Sequence, residues 1–177
     1  MKNHYQEWDE AIARHYPAAT AFSTTARLID SESWFAPMTE GKWSPAQVAE
    51  HLSQTYQVVI RELRGEKGIR IRSPWLLRQV LRQTVLRSIY RKRKLPKGAR
   101  APSEIAPRVV DATQQQAMEK LGRLAREFEA AARTAETLPG RKLTHHIFGQ
   151  IDVLPGIDFI AIHIEHHHRQ IQSVVLK

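Results

Sequence analysis

Cysteine is missing from all 177 positions. Disulfides, thiolate metal ligands and a cysteine nucleophile are therefore excluded, and any metal held by side chains must use nitrogen or oxygen donors. Nor is there an apolar run near the roughly 18 residues that suggest a membrane span. Met1 to Glu10 are polar rather than a secretory leader, so a cytoplasmic location is expected. No repeat or low-complexity linker divides the chain, and one domain over residues 1–177 can bury a substantial core. Acid is absent from Lys67 to Ser103, a segment that carries twelve of the 27 Lys and Arg residues. The net charge of +9 thus belongs to one segment, and the rest of the chain is mildly acidic.

Proline and glycine separate stretches that each carry a helical period. From about Tyr5 to Leu28 the residues Trp8, Ala11, Ile12, His15, Ala19 and Phe22 form one stripe, the pattern of a helix lying on a core. Ser44, Pro45 and Gln47 form a helix start: a hydroxyl to cap free amides, a proline where its missing N–H costs nothing, and a glutamine to close a capping box. The helix that follows, to about Arg64, sets His51 among Val48, Leu52, Thr55, Val59 and Leu63. A basic amphipathic helix is expected after Pro74, with Leu77, Val80, Leu81, Val85 and Ile89 inward, and then a Lys/Arg loop to Arg100. Asp111 to Glu136, rich in Ala, Gln, Glu, Leu and Arg, predicts another helix despite Gly122. A loop after Pro139 and Gly140 holds His145 and His146, and Asp152 is the expected N-cap of a last helix. The fold expected is all-α: an antiparallel four-helix bundle with the basic helix between its second and third members.

The last helix carries the chemical signal. Ile160, His163, Ile164, His167, Ile171 and Val174 recur at intervals of three and four, so two histidines stand where a bundle helix usually carries aliphatics. Side chains four apart share a helix face, and these two imidazoles can aim at one point. The same spacing also suits a hydrogen-bonded core pair. A third donor would come from another inward face, where His15 and His51 both qualify and periodicity does not choose between them. His166 and His168 are expected to face solvent. His163 is followed by Ile164 and then Glu165, which does not match the H-E-x-x-H zinc-protease motif. Three histidines around an ion with one open position is the arrangement of catalytic zinc, whose bound water ionises near neutral pH.

Two stretches resemble the DinB-like superfamily of bacterial helical bundles, which includes YfiT-type metal-dependent hydrolases and thiol-dependent S-transferases or isomerases. One is Gly41-Lys42-Trp43-Ser44-Pro45-Ala46-Gln47-Val48-Ala49-Glu50-His51-Leu52; the other is Phe148-Gly149 followed by His163-x-x-x-His167 and Arg169-Gln170-Ile171. The sequence departs from many relatives at His146 and Ile162. The resemblance implies His51 as the third ligand beside His163 and His167. It further implies one divalent ion, zinc first, with nickel or iron as alternatives. It implies as well a homodimer and a small-molecule substrate, either a small electrophile or a low-molecular-weight thiol. Gln54, Thr55 and Glu165 lie near the ligands in sequence but read as packing or surface residues, and no catalytic residue is assigned. A reading of another class makes the Lys67–Arg100 segment a binder of nucleic acid or anionic membrane, with the metal structural or absent.

Overall fold

The structure, a computed structural model, describes residues 4–96, 98, 100–107, 110–138 and 140–176. Lys97 of the expected basic loop and Pro139 of the expected turn lie outside the described residues. The described residues are mostly helical, with one small two-stranded sheet among them. Helix α1 spans His4–Ala26 and buries Trp8, Ala11, Ile12, His15, Ala18 and Phe22. A short helix, α2 (Ser31–Phe35), is held by Asp30, whose carboxylate accepts from the Ser33 amide at 2.8 Å. Its Trp34 is buried and donates from Nε1 to the carbonyl of Ala112.

Helix α3 covers Pro45–Leu63 and starts with the predicted capping box: Ser44 Oγ accepts from the Gln47 amide, and Gln47 Oε1 accepts from the Ser44 amide. The Ala-rich helix begins later than its composition suggests. Thr113 and Gln116 form a second capping box, which fixes the start at Gln114.

The basic segment forms α4 (Trp75–Leu81), a π-helical turn (Arg82–Leu86) and α5 (Arg87–Lys92). Its expected apolar stripe is only half correct. Leu77 and Val80 are exposed, as are Trp75 and Leu76, whereas Leu86 and Ile89 are buried. The wider π turn shifts the phase of the residues after it. Leu86 and Ile89 consequently pack with Phe148, Ile151, Phe159 and Ile162 in a second, smaller apolar cluster. Arg93, at φ 46°, ends α5 and pairs with Asp158 at 3.0 Å and Glu165 at 2.7 Å.

Helix α6 (Gln114–Glu136) packs mainly on α3, and the last helix, α7 (Val153–Val175), packs mainly on α1. Phe22, Leu63, Phe128, Ile157, Ile164 and Ile171 belong to the main core they enclose. Among the described residues no helix is long and apolar enough to cross a membrane.

The stretch read as a loop around His145 is instead a hairpin, β1 (Lys142–His145) against β2 (Gly149–Asp152), with Leu143 opposite Ile151 and His145 opposite Gly149. Gly149 turns the corner at φ 73°, and the Arg78 stem lies 2.6 Å from where a Cβ would stand, so any side chain here meets both backbone strain and a clash. Glu62 of α3 fixes the hairpin by accepting from the Thr144 amide at 2.9 and 3.1 Å. Asp152 does sit at the N-cap position of α7, but its carboxylate pairs with Lys142 across the hairpin and caps nothing.

Candidate metal centre

The phase of α3 turns His51 inward, and the four-residue spacing on α7 turns His163 and His167 to meet it. His51 and His167 are almost fully buried, and His163 is half-buried. His163 Nε2 lies 3.1 Å from His51 Nε2 and 3.0 Å from His167 Nε2. One donor atom from each ring falls within 4.8 Å of the others. Tetrahedral coordination by imidazole nitrogens at zinc distances separates donors by about 3.3 Å, so the spacing fits a single small cation.

The outer nitrogens decide what the inner ones present. His51 Nδ1 is 2.7 Å from the carbonyl of Ile105, which can only accept, so His51 carries its proton there and turns a lone pair inward from Nε2. His167 Nδ1 is 2.7 Å from Gln170 Oε1, which fixes the same tautomer. The Gln170 amide nitrogen in turn donates to His166 Nε2 at 3.0 Å. Two lone pairs are thus locked toward a third ring, and a single N–H on His163 can satisfy only one of them.

Protonation is a poor answer to that crowding. Burial is the main cause that lowers the pKa of all three rings, and the neighbouring imidazoles lower those of His163 and His167 further. All three are therefore neutral, the form in which imidazole ligates metals. Trp43 covers one side, its ring 5.0 Å from His51 and stacked at 6.5 Å on His167.

His15, the other sequence candidate for third donor, is elsewhere. It is buried, its Nε2 is 2.6 Å from the Tyr56 hydroxyl, and its ring packs 4.6 Å from Phe128. Burial holds its pKa down to about 4. The unfolded chain takes up this proton near pH 6.5 and the folded protein not until about 4, so unfolding binds a proton in that window and stability falls as pH drops through it. We expect denaturant titrations of His15→Gln to show a slope of stability against pH about 1.4 kcal/mol per unit shallower near pH 5. An unchanged slope would mean that His15 titrates alike in both states.

The expectation that His166 and His168 face solvent is corrected. Both are half-buried: His166 is tied to Gln170, and His168 Nε2 bonds Thr25 Oγ1 at 2.9 Å between α7 and α1. Thr55 donates to the His51 carbonyl and Gln54 to Glu50, while Glu165 faces Arg93. None of the three touches the inner nitrogens, in keeping with their reading as packing or surface residues. Sequence patterns do not single out Gln170 and the Ile105 carbonyl as partners of His167 and His51. Gln170 was legible in principle, three residues after His167; Ile105 comes from a distant loop that no local pattern announces.

His145 was read only as a loop residue, yet it lines the cavity of about 1070 Å³ that opens behind the three histidines. Its Nδ1 accepts from the amides of Ile147 and Phe148 at 3.2 and 3.3 Å, and burial lowers its pKa to about 3.

The sequence model described as DinB superfamily matches residues 16–171, most of the chain. No curated protein and no solved structure matches. Both the match and the three-histidine cluster are compatible with a metal-binding protein.

Proposed function

The chain belongs to the DinB superfamily, and from that premise we propose that His51, His163 and His167 hold one divalent cation in an antiparallel four-helix bundle acting on a small molecule. The observation that carries the reading is that His163 Nε2 lies at hydrogen-bond distance from the Nε2 atoms of both His51 and His167, which outer partners fix as lone pairs. Three imidazoles accommodate zinc, nickel, iron or copper, and three histidines with one open position is the arrangement of catalytic zinc. When bound, such an ion supplies a Lewis acid that lowers the pKa of water or a thiol.

The chain's own residues prepare that position. The Ile105 carbonyl and Gln170 orient two ligands, Trp43 shields them, and the cavity offers approach from one side. Hydrolysis and thiol-dependent group transfer both suit this layout. With no cysteine of its own, the protein would take a low-molecular-weight thiol as cosubstrate.

Elemental analysis of protein purified without a histidine tag is the direct test. About one equivalent of metal in the wild type, with His51→Ala and His167→Ala nearly metal-free, is the expected result. Metal-free wild type that also refuses zinc on titration would sink the reading.

A second reading concerns the basic segment. Trp75, Leu76, Leu77 and Val80 are exposed together on α4, within a stretch that has no acid. Exposed indole and aliphatic groups among cations suit the anionic membrane interface better than nucleic acid, which would use the charge and leave the apolar face in water. The homodimer expected by resemblance would use another face, since isologous pairing through α4 sets two acid-free basic segments opposite each other. We expect cosedimentation with phosphatidylserine vesicles to weaken at least tenfold in Leu76→Asp/Val80→Asp, with little binding to phosphatidylcholine alone. Equal binding by the double variant would overturn this assignment.

A further inference from the structure

The cavity behind the histidines is larger and more apolar than a compact electrophile or small thiol requires. At about 1070 Å³ it stands at the upper end of small-molecule sites. Its walls follow two helices in parallel. On α3 they run from His51 through Thr55, Val58 and Val59 to Glu62, and on α7 from His167 through His163, Ile160 and Phe159 to Gly156. Each wall spans twelve residues, whose eleven rises make about 16 Å of helix. The helical arm closes a third side with Leu81, Val85 and Ile89, and the hairpin a fourth with Leu143, Phe148 and Ile151.

Several polar groups along this length are already engaged, while Thr39, Lys42, Arg100 and His146 also reach the cavity lining. The Thr55 hydroxyl donates to the His51 carbonyl, His145 Nδ1 accepts from two backbone amides, and the Glu62 carboxylate holds the Thr144 amide. Most of the surface left to an occupant is hydrocarbon, with the histidine cluster, His166 and Gln170 gathered at one end and Lys42, Arg100 and His146 also in the lining. A hydrocarbon chain laid along these walls would take their apolar surface out of water.

Resting on the metal reading for its polar end, we infer that this cavity is a sleeve for the alkyl chain of an amphiphilic ligand, an acyl compound or similar, whose head group lies at His51, His163 and His167. The substrate class is thereby an elongated lipophilic molecule with a metal-seeking head. A compact thiol would then be a cosubstrate beside it.

Linear hydroxamates from acetyl to decanoyl, titrated calorimetrically into zinc-loaded protein, test the sleeve. Affinity should rise about fourfold for each methylene buried. The octanoyl-to-acetyl ratio should fall at least tenfold in Val85→Trp, whose fold is checked by circular dichroism. If zinc and acetohydroxamate bind but affinity stays flat along the wild-type series, the sleeve is overturned and the metal site stands. Should zinc fail to bind, the metal reading falls alone, because metal-free protein still tests the sleeve: decanoate is expected to bind far more tightly than butanoate, and equal binding overturns it.

Discussion

Adding zinc to chelator-treated protein is expected to raise its melting temperature by about 10 °C, and His163→Ala should abolish the rise. A ligand present at a thousand times its dissociation constant stabilises the folded state by about 4 kcal/mol. For a chain of this length, each kcal/mol moves the midpoint by about 2–4 °C. Cooperation between α3 and α7 makes the effect large, since an ion bound to both helices is released when either melts. His163→Ala is the sharpest variant because its ring lies between the other two, at 3.1 and 3.0 Å. Without metal that substitution should cost less than an ordinary core truncation, for it removes one of three crowded nitrogens from a partly open position. Scanning calorimetry with and without zinc measures both effects. Coincident wild-type curves would mean that the three rings simply pack and hydrogen-bond.

Phe128→Ala should destabilise the protein by about 3–5 kcal/mol, the range for truncating a fully buried aromatic. Phe128 has no exposed surface, and its ring lies 4.6 Å from that of His15 and 5.7 Å from that of Tyr56. The hole cannot close easily, because both neighbours are held by their own hydrogen bond at 2.6 Å. Water admitted there would relieve the burial that keeps His15 near pH 4, so its pKa should rise toward 6.5 as stability falls. Urea denaturation measures the first effect and histidine NMR titration the second. A loss below about 1 kcal/mol would show that α6 shifts to fill the space.

Much of the fold was legible because helical signals are local. The Ser44/Gln47 box, the stripe on α1 and the histidine-bearing stripe on α7 each depend on residues within a few turns of one another. The hairpin was hidden because its strands are only four residues each and its connection is His146, Ile147 and Phe148, with Gly149 alone as a turn-type residue beside it. The basic helix was anticipated, but Leu77 and Val80 of its inward stripe are exposed, since periodicity shows which residues share a face and not whether another element packs on it.

At the candidate site the same division holds. Composition limited any metal to nitrogen and oxygen donors, and spacing paired His163 with His167; those conclusions need only chain chemistry and helix geometry. Whether His15 or His51 stood with them was beyond periodicity, because both occupy inward faces and only the packing of α3 and α7 sets which one arrives. The tautomers of His51 and His167, the shelter of Trp43 and the apolar space behind them were likewise settled by tertiary structure. They depend on groups far apart in the chain, such as Ile105 and His51, and distance through space is what folding, not sequence order, determines.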